Sequence, residues 1–179
     1  MKKIYLVILY TLISFSIKAQ KDSLLTYSAV VMVDSATKTQ LFERARLWFA
    51  DYFVSSKAVL EIIDKENGEL VGRPILTCNY EFKILGTKKN YPLDVNVMIR
   101  VKVKDGKYKY EVYDLYDKTY FGTWVTSDVC PKEIEMVRKS KADDMWMSAK
   151  KGMNVKVNEL ASSLNSYMNK KGSISTDNF

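Results

Sequence analysis

The chain has 179 residues, of which 47% are hydrophobic and 27% charged; its formal net charge is +7 and it contains no histidine. That length fits one domain, and the apolar fraction suffices for a packed core, which excludes a wholly disordered chain. Without histidine, Ser-His-Asp and Cys-His catalysis are excluded and a catalytic zinc site is disfavoured.

Lys2 and Lys3 open the chain, Ile4 to Ile13 is apolar apart from Thr11, and Ser14 to Lys18 leads to Ala19. A positive start, a short apolar run and a small residue before the cut are the layout of a secretory signal. The apolar run is shorter than the ~20 residues of a spanning helix. The expected organisation is therefore a signal over 1–19, one domain over 20–169 and a flexible tail over 170–179. The expected location is the periplasm or the exterior, with no transmembrane segment left after cleavage. No cysteine follows the apolar run, so a lipid anchor is not expected.

Cleavage removes Lys2, Lys3 and Lys18 and lowers the formal charge from +7 to +4. The remaining Lys and Arg are interspersed with Asp and Glu, which reads as solvated faces rather than a nucleic-acid surface. Two cysteines remain, Cys78 and Cys130. An oxidising compartment permits a disulfide, but Cys78 lies on the apolar phase of an alternating segment, and a buried free thiol is favoured. Two cysteines without histidine make a poor metal set, and no metal or cofactor is expected.

Leu24 to Val33 reads as a first strand, and its run Ala29-Val30-Val31-Met32-Val33 suits a well-covered one. Thr37-Lys38-Thr39-Gln40 fits a capping box. In the helix that follows, Leu41, Phe42, Ala45, Trp48, Phe49, Tyr52 and Phe53 share one stripe, as core residues do. A second strand spans Lys57 to Asp64. Lys65-Glu66-Asn67-Gly68 is a hairpin turn, with Asn67-Gly68 supplying positive φ. The third strand runs from Glu69 to about Leu85, and Pro74 predicts a bulge or an edge at Gly72-Arg73-Pro74. Gly86 to Pro92 reads as a loop. In the fourth strand Val95, Val97, Ile99, Val101 and Val103 take one phase, and Asn96, Met98, Arg100, Lys102 and Lys104 the other. Asp105-Gly106 marks another hairpin, and a fifth strand runs from Lys107 to about Tyr116 with Tyr108, Tyr110 and Val112 on the covered phase. Asp117 to Cys130 is less regular. Pro131 opens a short helix. A longer one covers about Asp143 to Asn169, striped by Met145, Ala149, Met153, Val157, Leu160, Leu164 and Met168, with Gly152 costing ~1 kcal/mol against Ala.

This order gives a two-layer α+β fold: an antiparallel five-stranded sheet (strand, helix, four strands, helix) with both helices on one face. The opposite face stays open. By phase it carries Lys57, Val59, Glu61, Ile63, Met98, Arg100, Lys102, Lys109, Glu111 and Tyr113. Of these, Val59, Met98, Arg100, Lys102 and Tyr113 are the candidate binding residues.

Val31 to about Tyr116 resembles a Bacteroidetes family of domains of unknown function, DUF4468. The resemblance rests on Leu41, Ala45, Trp48-Phe49-Ala50, Ser56-Lys57-Ala58-Val59, Asp64 to Gly72 and Lys104-Asp105-Gly106-Lys107-Tyr108. It implies a TATA-binding-protein-like (TBP-like) fold and an exported protein without assigned chemistry. Arg73-Pro74 departs from the pattern. The fold name brings no DNA binding with it.

Motifs that could carry chemistry have plainer readings. Ser148-Ala149-Lys150-Lys151 has Ser-x-x-Lys spacing but lies inside a helix without companion motifs. Asp143-Asp144 suits a helix N-terminus, since adjacent helical residues do not face each other. Asp114 and Asp117 flank a strand end with no cleft to make them a glycosidase pair. Asp64, Glu66 and Glu69 lack EF-hand spacing and fit turn chemistry. The expected function is thus a non-catalytic exported module that binds a protein or glycan of the cell envelope through the open sheet face. The alternatives are a histidine-independent hydrolase using carboxylates and a structural envelope component.

Overall fold

The computed structural model describes residues 24–53, 59–84, 86–117, 123–124 and 139–170. The expected signal, Lys57, the Pro131 helix, Cys130 and nearly all of the expected tail lie outside them. The elements in chain order are β1 (Tyr27–Met32), α1 (Lys38–Tyr52), β2 (Leu60–Asp64), β3 (Glu69–Gly72), β4 (Ile75–Ile84), β5 (Thr87–Lys104), β6 (Lys107–Asp117), β7 (Thr123–Trp124) and α2 (Lys139–Met168).

All seven described strands form one antiparallel sheet, with a five-strand path β1-β6-β5-β3-β2. β4 also pairs with β5, and β7 adds two residues to β6. The expected third strand is β3 and β4 in succession along β5, broken at Arg73-Pro74 as proline requires. The break is bridged by Val97 N–H donating to the Pro74 carbonyl at 3.1 Å. The expected loop from Gly86 to Pro92 is instead mostly strand. Gly86, at φ 84°, makes the turn, and Thr87 to Pro92 pairs with β4 from Ile84 back to Asn79. Pro92 is tolerated because β6 pairs with β5 only from Val95 onward, and a proline on the unpaired side of a strand forfeits no ladder bond.

Thr37 closes the expected capping box. Its hydroxyl accepts from Gln40 N–H at 3.3 Å, and Gln40 Oε1 accepts from Thr37 N–H at 3.0 Å. Asp105, at the β5–β6 turn, adds a second cap by accepting Lys38 N–H at 2.6 Å. At the β2–β3 turn only Gly68 has positive φ; Asn67 does not. Asn67 instead donates its backbone and side-chain N–H groups to Asp64, which hold that carboxyl below the usual range.

The core lies between the sheet and the two helices. Leu41, Phe42, Ala45, Trp48 and Phe49 of α1 and Ala149, Met153, Val157, Leu160, Leu164 and Met168 of α2 are buried with Val95, Val97, Ile99, Val101 and Val103 of β5. Polar ties join the layers. Trp48 Nε1 donates to Ser163 Oγ, Tyr108 OH to Asn165 Oδ1, and Arg44 to the Met168 carbonyl that ends α2. Cys78 is buried and its thiol is free. Burial pushes it up to about 11.

Gly152 sits where α2 crosses β4. A Cβ built there would lie 2.1 Å from the Asn79 carbonyl oxygen. The glycine that weakens the helix by propensity is what lets the helix touch the strand backbone.

Candidate binding face

The sheet face opposite the helices is organised in cross-strand rows. One row runs Asp64, Glu69, Lys102, Lys109, Val30 and the next Ile62, Val71, Arg100, Glu111, Ser28. Lys104, Lys107 and Met32 form a third at the β5–β6 turn, and Met98 pairs with Tyr113 at the other end. Val97 is buried and Arg100 faces the other way, as period two demands.

Arg100 is the hub. Its Nε lies 2.9 Å from Glu69 Oε1, an ion pair whose angle falls short of a directional hydrogen bond, and its Nη1 donates to Glu111 Oε2 at 3.2 Å. Lys102 pairs with Glu69 at 3.3 Å and Lys109 with Glu111 at 2.6 Å. The guanidinium carbon stands 5.0 Å from the Tyr113 ring centre. The Lys109 ammonium first, then the Arg100 guanidinium, hold the Glu111 carboxyl below its usual range. A second knot lies beside the strand break, where Arg73 pairs with Glu61 at 2.9 Å and Asp114 at 3.6 Å. Asp114 (φ 57°) lies in a bulge of β6, where register shifts opposite Asn96 and Met98 of β5.

Four of the five candidate residues meet on this face: Met98, Arg100, Lys102 and Tyr113. Val59 does not. Its methyl lies, with Phe49, around the core side of Gly72, and it packs against the core. Ile63 likewise shares the row of Leu70 and Val101 on the helix side. For Ile63 the cause is a register shift between Leu60 and Ile62, which puts Ile62 on the candidate face instead; Val59 precedes β2 and does not follow its alternation. Met98 is only 9% exposed and Val71 only 1%, so the centre of the face is inaccessible. The accessible apolar groups are marginal: Val30 and Met32 on β1, 61% and 66% exposed, Ile75 on β4 at 60% and Ile62 at 48%. β1 is thus an edge strand with one open side, not the well-covered strand its apolar run suggests. An apolar run reports hydrophobicity but not which neighbour is missing.

The other motifs serve structure. Ser148 Oγ accepts the Glu81 N–H at 2.7 Å, tying α2 to β4. Ser148, Lys151, Gly152, Asn79 and Glu81 line a polar groove of about 410 Å³ there. A second cavity of about 630 Å³ lies between Tyr52, Phe53, Val59 and Pro74. The helix begins at Lys139, so Asp144 is not in its first turn. Asp114 turns to Arg73, whereas Asp117 is buried in register with Val95 on the core side, so the two do not form a facing pair. Among the described residues no three His, Cys, Asp or Glu side chains could hold a metal ion, and no helix is long and apolar enough to cross a membrane.

Residues 27–117, the stretch from the start of β1 to the end of β6, match the model of a domain family of unknown function with a TBP-like fold, DUF4468. The chain belongs to this family. Two solved structures share the fold at low identity. A TBP-like protein from Parabacteroides distasonis is 15% identical, with a TM-score of 0.58 over 85% of this chain and 97% of its own. A DUF4468 family protein from Bacteroides ovatus is 12% identical, with a TM-score of 0.62 over 84% and 91%. Both show the fold, and both likenesses reach beyond the residues matched by the family model. No curated protein matches the chain.

Proposed function

We propose that this DUF4468 chain is an exported, non-catalytic module that docks a protein partner on the sheet face opposite its helices. The observation that carries the reading is the arrangement of that face: a lattice of charges around Arg100, with solvent-exposed Ile62 at its β2 margin and Tyr113 beside the hub. Charged and aromatic groups beside exposed apolar side chains are the composition of a protein interface. A glycan would need a free aromatic ring to stack on, and the Tyr113 ring is engaged by Arg100.

The carboxyl groups with shifted titration are unsuited to general-acid catalysis. Asp64 and Glu111 are both lowered by their hydrogen-bond donors, whereas a general acid needs a raised value. Export is supported by the layout of residues 1–19.

The test is capture from the cell envelope of the producing organism by the chain beginning at residue 20. The natural sequence should retain a defined protein. Ile62→Asp with Tyr113→Ser should lose it while melting unchanged within a few degrees. Equal capture by the double variant rejects this face, and retention of a glycan without protein rejects the class of partner.

A further inference from the structure

We infer that the β5–β6 hairpin end of the same face is a docking patch for an anionic phospholipid surface, a partner distinct from the protein proposed above. In register, Lys102 stands opposite Lys109 and Lys104 opposite Lys107, so four lysines form two like-charged pairs on adjacent strands. All four are exposed. Side chains directly opposite in a sheet lie ~5 Å apart at Cβ, where like charges repel, and successive pairs are ~7 Å apart along the strand.

Ion pairs reach only the Lys102–Lys109 end of the cluster. Glu69 and Glu111 each divide their charge between Arg100 and one lysine, Lys102 or Lys109. Asp64 accepts from Asn67, and Asp105, the acid at the turn itself, caps α1 through Lys38 N–H; both keep their charge, but neither forms an ion pair with the four lysines. Lys104 and Lys107 have no ion-pair partner among the described residues. A sheet carries such a repulsive arrangement at a cost in stability, and an external anionic surface relieves it.

The rows continue into β1, where Val30 lies beside Lys109 and Met32 beside Lys107. These are the most exposed large apolar side chains described, at 61% and 66%. A flat cationic cluster flanked by shallow apolar groups matches the headgroup and acyl boundary of a membrane. No cavity described above reaches these residues, so charge and apolar contact, rather than an enclosed pocket, recommend a planar partner.

Cosedimentation of the purified protein with phosphatidylcholine vesicles, with and without phosphatidylglycerol, tests this. Binding is expected only to the anionic vesicles and should weaken with added salt. Lys104→Glu with Lys107→Glu should reduce it by about tenfold or more, and Met32→Ser by a few fold, with melting unchanged. Lys104→Gln with Lys107→Gln should give an intermediate loss. Absence of binding to anionic vesicles, or equal binding to both kinds, overturns the proposal. So does soluble polyglutamate binding as tightly as the vesicles, which assigns the cluster to an acidic protein. Purified lipid contains no protein, so neither result depends on capture through Ile62 and Tyr113.

Discussion

At the residue scale, Gly152 makes the sharpest demand. Helix propensity alone predicts that Gly152→Ala stabilises α2 by ~1 kcal/mol. The 2.1 Å approach of its built Cβ to the Asn79 carbonyl predicts the opposite. Moving helix or strand backbone falls at the upper end of overpacking costs, ~3 kcal/mol. The urea midpoint of the variant should therefore drop; a midpoint at or above the parent's would refute this packing. Thr37→Ala should cost ~1 kcal/mol through loss of the cap, read from the same denaturation curve. Burial also sets an alkaline limit. It raises Cys78 from 9.0 to about 11, and Tyr27 and Tyr108 from 10.0 to about 12, with a smaller contribution to Tyr27 from Cys78. Between those values the unfolded chain has released protons that the folded chain still holds. Stability should thus fall as pH rises from about 9 to about 12. Thermal melts across that window check it, and a flat profile contradicts it.

Elements with a strong period were legible in the sequence because the period is itself the geometry. The Val95 to Val103 alternation, the α1 stripe and the α2 stripe each mark one face, and each face is buried as expected. The buried Trp146 extends the α2 stripe toward the N-terminus and was missed because Met145 beside it fits the same spacing. What could not be read were the irregularities. The shift between Leu60 and Ile62 moves Ile63 to the helix side, while Val59 precedes β2 and escapes its alternation, and no residue type announces either. The start of β5 was hidden because Thr87 to Pro92 contains lysines, an asparagine and a proline, all poor strand signals, yet pairs fully with β4. α2 contributes much of the core, so Leu160→Ala should cost ~2–5 kcal/mol. A loss well under 1 kcal/mol by chemical denaturation would mean that α2 is not seated as described.

For the whole molecule, the layered plan followed from element order: two striped helices and an alternating sheet have one compact solution. The candidate face was only half legible. Arg100, Lys102 and Tyr113 were placed by phase, but burial of Met98 and Val71 and exposure of Val30, Met32 and Ile62 depend on sheet order and register. Two layers leave the molecule with unlike sides, and the docking role proposed above belongs to the sheet side. Hydroxyl-radical footprinting of the partner complex tests that assignment most directly. Tyr113 and Ile62 on the sheet should be protected, while Leu47 on α1 and Met147 on α2, both exposed, should react as in the free protein. Protection of Leu47 and Met147 with Tyr113 and Ile62 unchanged would contradict it.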